Sequence, residues 1–214
     1  MTSRIGDRGR LVVLPVVAML VVSGAAALAR GEGGQDGAAG PLRRLTVLLT
    51  CCFYLLVCWC YLRRDKAVAT SRSPVAHAAA VTATLTPFAF AFLAATPAAV
   101  GRELVTGVLL AAGSGWSVWA VRSLGRSVAI LAQARTVVHS GPYRWVRHPL
   151  YLGELVAAGG LALQVGTVAA ALLWAGLLGL QVYRASREEA VLAGALPDYA
   201  GYRSRTAAVL PGLF

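Results

Sequence analysis

Long apolar runs are the feature of this chain that most restricts its fold. Four runs of 18 to 26 residues contain no Asp, Glu, Lys or Arg, and a fifth run of 34 residues contains only one. A transmembrane helix needs roughly 20 consecutive apolar residues, so each run is long enough to cross a bilayer. Only 14% of the residues are charged, against roughly 25% in a typical soluble domain. The five runs are Leu11–Ala29, Leu45–Leu62, Val75–Val100, Leu104–Val121 and Leu150–Tyr183.

The last run is too long for a single crossing and predicts a helical hairpin. Glycines interrupt it, and Gln164 lies near its middle, which places the turn at 164–167. The chain is therefore predicted to be an all-α polytopic membrane protein with about six transmembrane helices. The sequence has no alternating strand pattern and no GxGxxG motif, which argues against a soluble Rossmann-type cofactor site.

The basic residues predict the orientation in the membrane. The net charge is +11, but Lys and Arg lie between the apolar runs rather than on one face, which argues against a nucleic-acid partner. With the N-terminus inside, the cytoplasmic segments hold 16 Lys and Arg and the outer segments hold 4. The positive-inside rule then favours two cytoplasmic termini. The composition, rich in Ala, Arg and Gly, favours a bacterial inner (plasma) membrane.

The first run has two interpretations. The basic start followed by an apolar stretch ending in GAAALA is typical of a signal peptide. The run has 19 residues, however, and its removal would leave five spans with the new N-terminus outside. We therefore expect a retained span.

All four cysteines lie in the second run, in LTVLLTCCFYLLVCWCYL. The spacing contains no CxxC, and no histidine is close in sequence. Buried cysteine behaves as a small apolar side chain. We therefore expect the cysteines to pack in the helix, and we expect no metal site.

A polar and aromatic stretch, SGPYRWVRHPLYLGEL, precedes and enters the last run at residues 140–155. Proline is favourable in the first turn of a helix, so a helix is predicted to start near Pro149. Free amides at a helix N-terminus can hold an anion, and Arg147 and His148 flank this one. The alternative is an interfacial belt of Arg, Trp and Tyr, which explains less well the Gly-Pro-Tyr turn and the His-Pro step.

The C-terminal tail supplies a second polar segment. Arg184 and Glu188 are four residues apart where the last span leaves the membrane. Such a pair is either a surface salt bridge or a functional charge at the bilayer boundary, and Glu189 with Arg187 allows the same two interpretations. Glu154 is expected to be stabilised by the helix N-terminus. Tyr199 is expected to cap or pack the tail.

These two segments together resemble the isoprenylcysteine carboxyl methyltransferase family, which is related to the phospholipid N-methyltransferases. The first signature is SGPYRWVRHPLYLG, and the second is R-x-x-x-E-E followed by D-Y-x-x-Y and a near-terminal L-P. The resemblance covers Gln133–Phe214. It implies an integral membrane methyltransferase that uses S-adenosylmethionine, with four N-terminal transmembrane helices in 1–121 and a methyltransferase core in 122–214. In that core, the hairpin and the cytoplasmic tail form the cofactor pocket.

The resemblance also implies the residues of the site. Arg184 is implied at the acceptor substrate, and Arg184 and Glu188 are implied to be catalytic. The implied cofactor-binding residues are Gln133, Arg135, Thr136, Val137, Val138, Tyr143, His148, Pro149, Leu150, Tyr151 and Glu188.

The acceptor is expected to be a lipophilic small molecule, a prenylated molecule or a membrane lipid. A carboxylate acceptor is already ionised and needs no base, and Arg184 could hold it with two hydrogen bonds. An amine or phenol would have to lose a proton, for which Glu188, Glu189 or His148 are candidates. A different class, a small non-enzymatic transport or assembly protein, predicts charges inside several spans or internal repeats. The sequence has neither, apart from Glu154 near a span end.

Overall fold

The chain is described by a computed structural model that covers residues 22, 40–65, 67–96, 99–129 and 132–209. These residues form helices joined by short loops and three single 3₁₀ turns, at Phe90–Phe92, Gly125–Ser127 and Gly141–Arg144. Two very short strands, β1 (Ala69–Thr70) and β2 (Gln133–Ala134), pair antiparallel. The helices are α1 (Gly40–Leu62), α2 (Pro74–Ala89), α3 (Val100–Leu124), α4 (Pro149–Val165), α5 (Val168–Ala195) and α6 (Tyr199–Arg203).

The helices confirm the predicted all-α membrane fold. Within the described ranges, four helical segments are long and apolar enough to cross a membrane, and α4 is a fifth apolar helix with 17 residues. The predicted first span, Leu11–Ala29, lies outside the described residues apart from Val22. The four segments are Gly40–Leu62, Pro74–Phe92, Val100–Ser127 and Val168–Ala195.

The predicted hairpin turn lies where the glycines indicated. Helix α4 ends at Val165, and Gly166 adopts a left-handed conformation with φ of 70°. Glycine reaches this conformation without the steric cost of a side chain. Thr167 then caps α5, since its side-chain oxygen accepts a hydrogen bond from the amide of Ala170.

The third apolar run forms a shorter helix than its length suggested. The run extends to Val100, but the helical segment ends at Phe92, and Val100 already begins α3. Thr96 precedes a proline, which disfavours helical conformation at that position. The Thr96 amide instead donates to the carbonyl of Val165 over 2.9 Å, so this loop crosses the end of α4.

Small residues let α3 and α4 pack backbone against backbone. A Cβ atom added at Gly113 would lie 2.5 Å from the backbone nitrogen of Ala157. On the opposite helix, a Cβ at Gly153 would lie 2.3 Å from Oγ of Ser117. Close approach through small residues is typical of helix packing in membranes. This packing holds the start of α4 beside the end of α3, where the polar stretch begins.

The connection between α1 and α2 is fastened to the loop that follows α3. Ala69 pairs with Ala134 in the β1–β2 ladder. Arg126 donates to Oδ1 of Asp65 over 2.6 Å, and Nε of Arg135 donates to the Asp65 carbonyl over 2.8 Å. These contacts hold in place the segment 133–138, which we call the strip before the Ser-Gly turn.

Candidate functional site

The Ser-Gly-Pro turn at the start of the polar stretch packs directly on α3. Gly141 has φ of 61°, and a Cβ there would lie 2.1 Å from Oγ of Ser123. Both the conformation and the contact therefore require glycine. The chain then forms one 3₁₀ turn that buries Tyr143.

The polar stretch divides into an exposed part and a buried part. Trp145 is 44% exposed, and the guanidinium carbon of Arg144 lies 4.0 Å from its ring centroid. Tyr143, His148 and Tyr151 are buried. The interfacial-belt interpretation thus suits the exposed pair, whereas the buried residues are placed as a binding site would need them.

Helix α4 begins at Pro149, as the sequence predicted. Pro149 occupies the first turn, and the carbonyl of His148 accepts from the amide of Leu152 over 3.2 Å. The indole Nε1 of Trp116, on α3, donates to the Pro149 carbonyl over 2.8 Å. The His-Pro step is thereby held between the two helices.

The C-terminal tail returns along the polar stretch. The amides of Arg147 and His148 donate to the carbonyls of Ala207 and Ala208 over 2.8 Å and 2.9 Å. The hydroxyl of Tyr202 donates to the Tyr143 carbonyl over 2.7 Å. Segments about 60 residues apart in the chain thus form one body through regular backbone bonds.

Glu189, near the C-terminal end of α5, connects that helix to the polar stretch. Its Oε1 accepts from Nε of Arg147 over 2.7 Å and lies 3.2 Å from Nε2 of His148. Its Oε2 lies 3.5 Å from Nε of Arg203. The sequence also allowed a local pair with Arg187, and that interpretation is wrong. Residues two apart do not face each other on a helix, and Glu189 points inward.

A cavity lies where the polar stretch, the strip before it and α5 meet. Its empty space is about 770 Å³ when the open solvent at its mouth is counted. Ten of the eleven residues implied to bind cofactor line it. They are Gln133, Arg135, Thr136, Val137, Val138, Tyr143, His148, Leu150, Tyr151 and Glu188.

Two predicted site residues lie beside the cavity rather than on its wall. Pro149 is buried at the start of α4. Arg184 is 7% exposed and lies behind Tyr151, with its guanidinium carbon 4.5 Å from the tyrosine ring centroid. The alternative of an exposed Arg184–Glu188 surface pair is therefore wrong, since Arg184 is enclosed between α4 and α5.

Glu154 differs from its expectation. Rather than interacting only with the helix N-terminus, its Oε2 accepts a hydrogen bond from Nε2 of Gln181 over 2.6 Å. The amide oxygen of Gln181 in turn accepts from Nη1 of Arg184 over 3.1 Å. A charge in an apolar helix needs a partner, and α5 supplies one.

Sequence reasoning missed part of the cavity wall. Tyr199, expected only to cap or pack the tail, is 1% exposed and lines the cavity. The D-Y-x-x-Y motif pointed to this segment, but nothing local indicated the residues at the end of α3. The lining residues that it missed are Leu124, Ser127, Ala129, Leu192, Tyr199 and Tyr202. Arg147, which the sequence placed beside the start of α4, lines the cavity as well.

Two buried polar atoms on the cavity wall have no hydrogen-bond partner among the described residues. They are Nη1 of Arg135 and the hydroxyl of Tyr199. Buried polar groups are almost always paired, so such atoms suit a ligand that supplies acceptors. Burial lowers the pKa of Arg135, and the positive charge of Arg64 adds to this effect. An anionic group would stabilise the guanidinium in the cavity.

The cavity wall also offers neutral phenols and one carboxylate. Burial, followed by the charge of Glu188, raises the pKa of Tyr143, so its hydroxyl stays protonated. Burial likewise raises the pKa of Tyr202 to about 12. Glu188 accepts from the Tyr151 hydroxyl, and its Oε2 lies 3.8 Å from Nδ1 of His148. The cavity wall thus carries both cationic and anionic groups.

Comparison with known proteins finds two matches to this region. A segment of the Cupriavidus metallidurans cobalt-zinc-cadmium resistance protein CzcN is 38% identical over 79 residues, which is 36% of this chain and 37% of that protein. The chain thus matches well under half of the length of that relative. The sequence profile of the isoprenylcysteine carboxyl methyltransferase family matches residues 102–194, from α3 to the end of α5. The match supports a relationship between residues 102–194 and the isoprenylcysteine carboxyl methyltransferase family.

Proposed function

We propose that this protein is a membrane methyltransferase that uses S-adenosylmethionine to methylate a lipophilic acceptor. One observation carries the proposal: Tyr143 and His148 share one cavity with Glu188, although some forty residues of apolar hairpin separate them in sequence. We further propose that the termini and the cavity face the cytoplasm of a bacterial cell, as the distribution of basic residues favours.

The residues around the cavity fit the proposed cofactor. S-adenosylmethionine supplies a methyl group on a positively charged sulfur, together with an amino group and a carboxylate. The unpaired Nη1 of Arg135 suits the carboxylate. Glu188 suits a cationic group, and Tyr143, Leu150 and Tyr151 supply apolar and aromatic surface.

The positions of the chain's own residues also suit a reaction between a bound donor and a membrane-borne acceptor. Methyl transfer depends on alignment of the reacting atoms, so rigid placement of both partners provides much of the acceleration. Arg184 lies behind Tyr151, between the membrane helices. We propose that the acceptor reaches the cavity from this side, as a prenylated or other lipid molecule.

Replacing Glu188 with alanine is expected to weaken binding of S-adenosylhomocysteine by about 10- to 100-fold, because a charge-assisted hydrogen bond contributes about 1.5–3 kcal/mol. Isothermal titration of the detergent-purified protein measures this change. Asp198→Asn, which alters an exposed carboxylate of the same segment, should bind like the wild type. An unaltered affinity in Glu188→Ala would remove Glu188 from the cofactor site.

Replacing Arg184 with alanine is expected to act differently. Arg184 is absent from the cavity wall, so the dissociation constant for S-adenosylhomocysteine should stay within about twofold while turnover falls at least about tenfold. Methyl transfer from labelled donor to membrane lipids measures turnover, and Arg184→Lys controls for loss of the buried charge. Normal turnover in Arg184→Ala would contradict its role at the acceptor.

A second candidate is a role in metal resistance without methyl transfer, because the relative CzcN is named a cobalt-zinc-cadmium resistance protein. Within the described part of the chain, no group of three or more His, Cys, Asp or Glu side chains is placed to hold a metal ion. The titration above separates the candidates. Failure of the wild type to bind S-adenosylhomocysteine at millimolar ligand would favour the second.

A further inference from the structure

Five side chains form a continuous polar line between α4 and α5. We call this line the polar ladder; it consists of Glu188, Tyr151, Arg184, Gln181 and Glu154. The Tyr151 hydroxyl donates to Glu188, and the Arg184 guanidinium lies over the Tyr151 ring. Arg184 then donates to Gln181, which donates to Glu154. Only the first two members, Glu188 and Tyr151, line the cavity.

The ladder extends from the cavity wall into the apolar layer. Glu188 and Gln181 are separated by two turns of α5, roughly 10 Å along the helix axis. One turn beyond Gln181, the fully buried Leu177 packs in an apolar cluster with Leu155 and Ala158. Charged groups at such a depth are costly and mark functional positions. The ladder therefore carries polar groups from the cavity wall toward the apolar cluster between α4 and α5.

The ladder contains one cation and two carboxylates. Gln181 is 1% exposed, and its side-chain amide bridges Arg184 and Glu154. The amide oxygen accepts from Arg184, and the amide nitrogen donates to Glu154. The negative charge of Glu154 thereby partly offsets the positive charge of the Arg184 guanidinium. Glu188, at the other end, adds a second negative charge. Counted over the ladder residues alone, an arriving carboxylate would meet two carboxylates and one guanidinium, and an interior of low dielectric enlarges the net repulsion from these three groups.

We infer that Glu154 determines the charge selectivity of the acceptor site, so that the ladder favours a protic headgroup, an alcohol or an amine, over a carboxylate. The inference rests on the proposed function, which brings the acceptor headgroup to this side of the cavity. A hydroxyl or ammonium group donates hydrogen bonds to carboxylates, whereas a carboxylate cannot. Glu154 lies outside the cavity wall, so it acts on the acceptor and not on the cofactor.

Binding of short probes with one chain length tests this selectivity without turnover. Saturation-transfer NMR titrations of the purified full chain would compare hexylamine, hexanol and hexanoate. For the wild type, at least one protic probe is expected to bind at least about tenfold more tightly than hexanoate, the factor of one charge-assisted hydrogen bond. In Glu154→Gln, hexanoate should gain at least about tenfold in affinity relative to both protic probes.

Matched controls separate this inference from a folding defect and from the proposed function. Glu103→Gln makes the same change at an exposed position in the first turn of α3 and should leave the wild-type ratios intact. Tighter binding of hexanoate by the wild type, or the same ratios in Glu154→Gln, would overturn the inference. If Glu154→Gln does not fold, the ratio of the wild-type affinities for the protic probes and hexanoate tests the inference by itself. Failure of the wild type to bind S-adenosylhomocysteine would instead refute the proposed function.

Discussion

Replacing Glu189 with glutamine is expected to abolish measurable S-adenosylhomocysteine binding and to lower the unfolding free energy by about 3 kcal/mol or more. The side chains of Glu189, Arg147 and His148 are 12%, 7% and 5% exposed. Loss of the carboxylate leaves the buried Arg147 guanidinium without its charged partner. Because Arg147 and His148 line the cavity, their displacement changes the site as well as the stability. Reversible unfolding in mixed micelles and isothermal titration measure the two effects.

Asp65→Asn is the matched control for this experiment. Asp65 also pairs with an arginine, Arg126, but their side chains are 44% and 69% exposed. Exposed ion pairs contribute roughly 0–1 kcal/mol, so Asp65→Asn should unfold almost like the wild type. Equal losses of unfolding free energy in the two variants would show that the buried ion pairs of Glu189 contribute no more to stability than the exposed pair of Asp65.

Replacing Gly113 with alanine is expected to lower the unfolding free energy by about 2–3 kcal/mol, the upper part of the range for overpacking. The new methyl group would meet the backbone of Ala157 at 2.5 Å, and backbone cannot rotate away as a flexible side chain does. Helices α3 and α4 would have to separate. Since α3 supports the Gly141 turn and Pro149, cofactor affinity should fall too.

Gly176→Ala makes the identical change on α5, where no atom lies within 4 Å of the added methyl group. There the substitution should be neutral or slightly stabilising, because alanine favours helix over glycine by roughly 0.5–1 kcal/mol. Unfolding of both variants in the same mixed micelles gives the comparison. A Gly113→Ala protein as stable as Gly176→Ala would mean that α3 and α4 are not in close contact.

Features that depend on neighbouring residues were predictable. The hairpin turn at Gly166 and the helix start at Pro149 follow from local backbone chemistry, and both lie where the sequence indicated. The end of the third span at Phe92 was not predictable, because apolar composition continues through the loop that follows it. The resemblance to the methyltransferase family also implied most of the residues that line the cavity.

Pairings across the fold were not predictable. The local pattern gave Glu188 and Glu189 the same two interpretations, yet Glu189 binds Arg147, 42 positions away, while Glu188 lines the cavity. The expectation for Glu154 was incomplete for the same reason, because its partner Gln181 lies 27 positions along the chain on the next helix. Nothing local specifies which face of one helix meets which face of another.

The sequence by itself determined that the chain is a helical membrane protein with a C-terminal hairpin, because hydrophobic length, glycine and proline act within a few residues. Only the tertiary structure decided which polar side chains share a cavity and which form the ladder behind it. That outcome depends on the rotation and approach of α3, α4 and α5, which glycine contacts between the helices control.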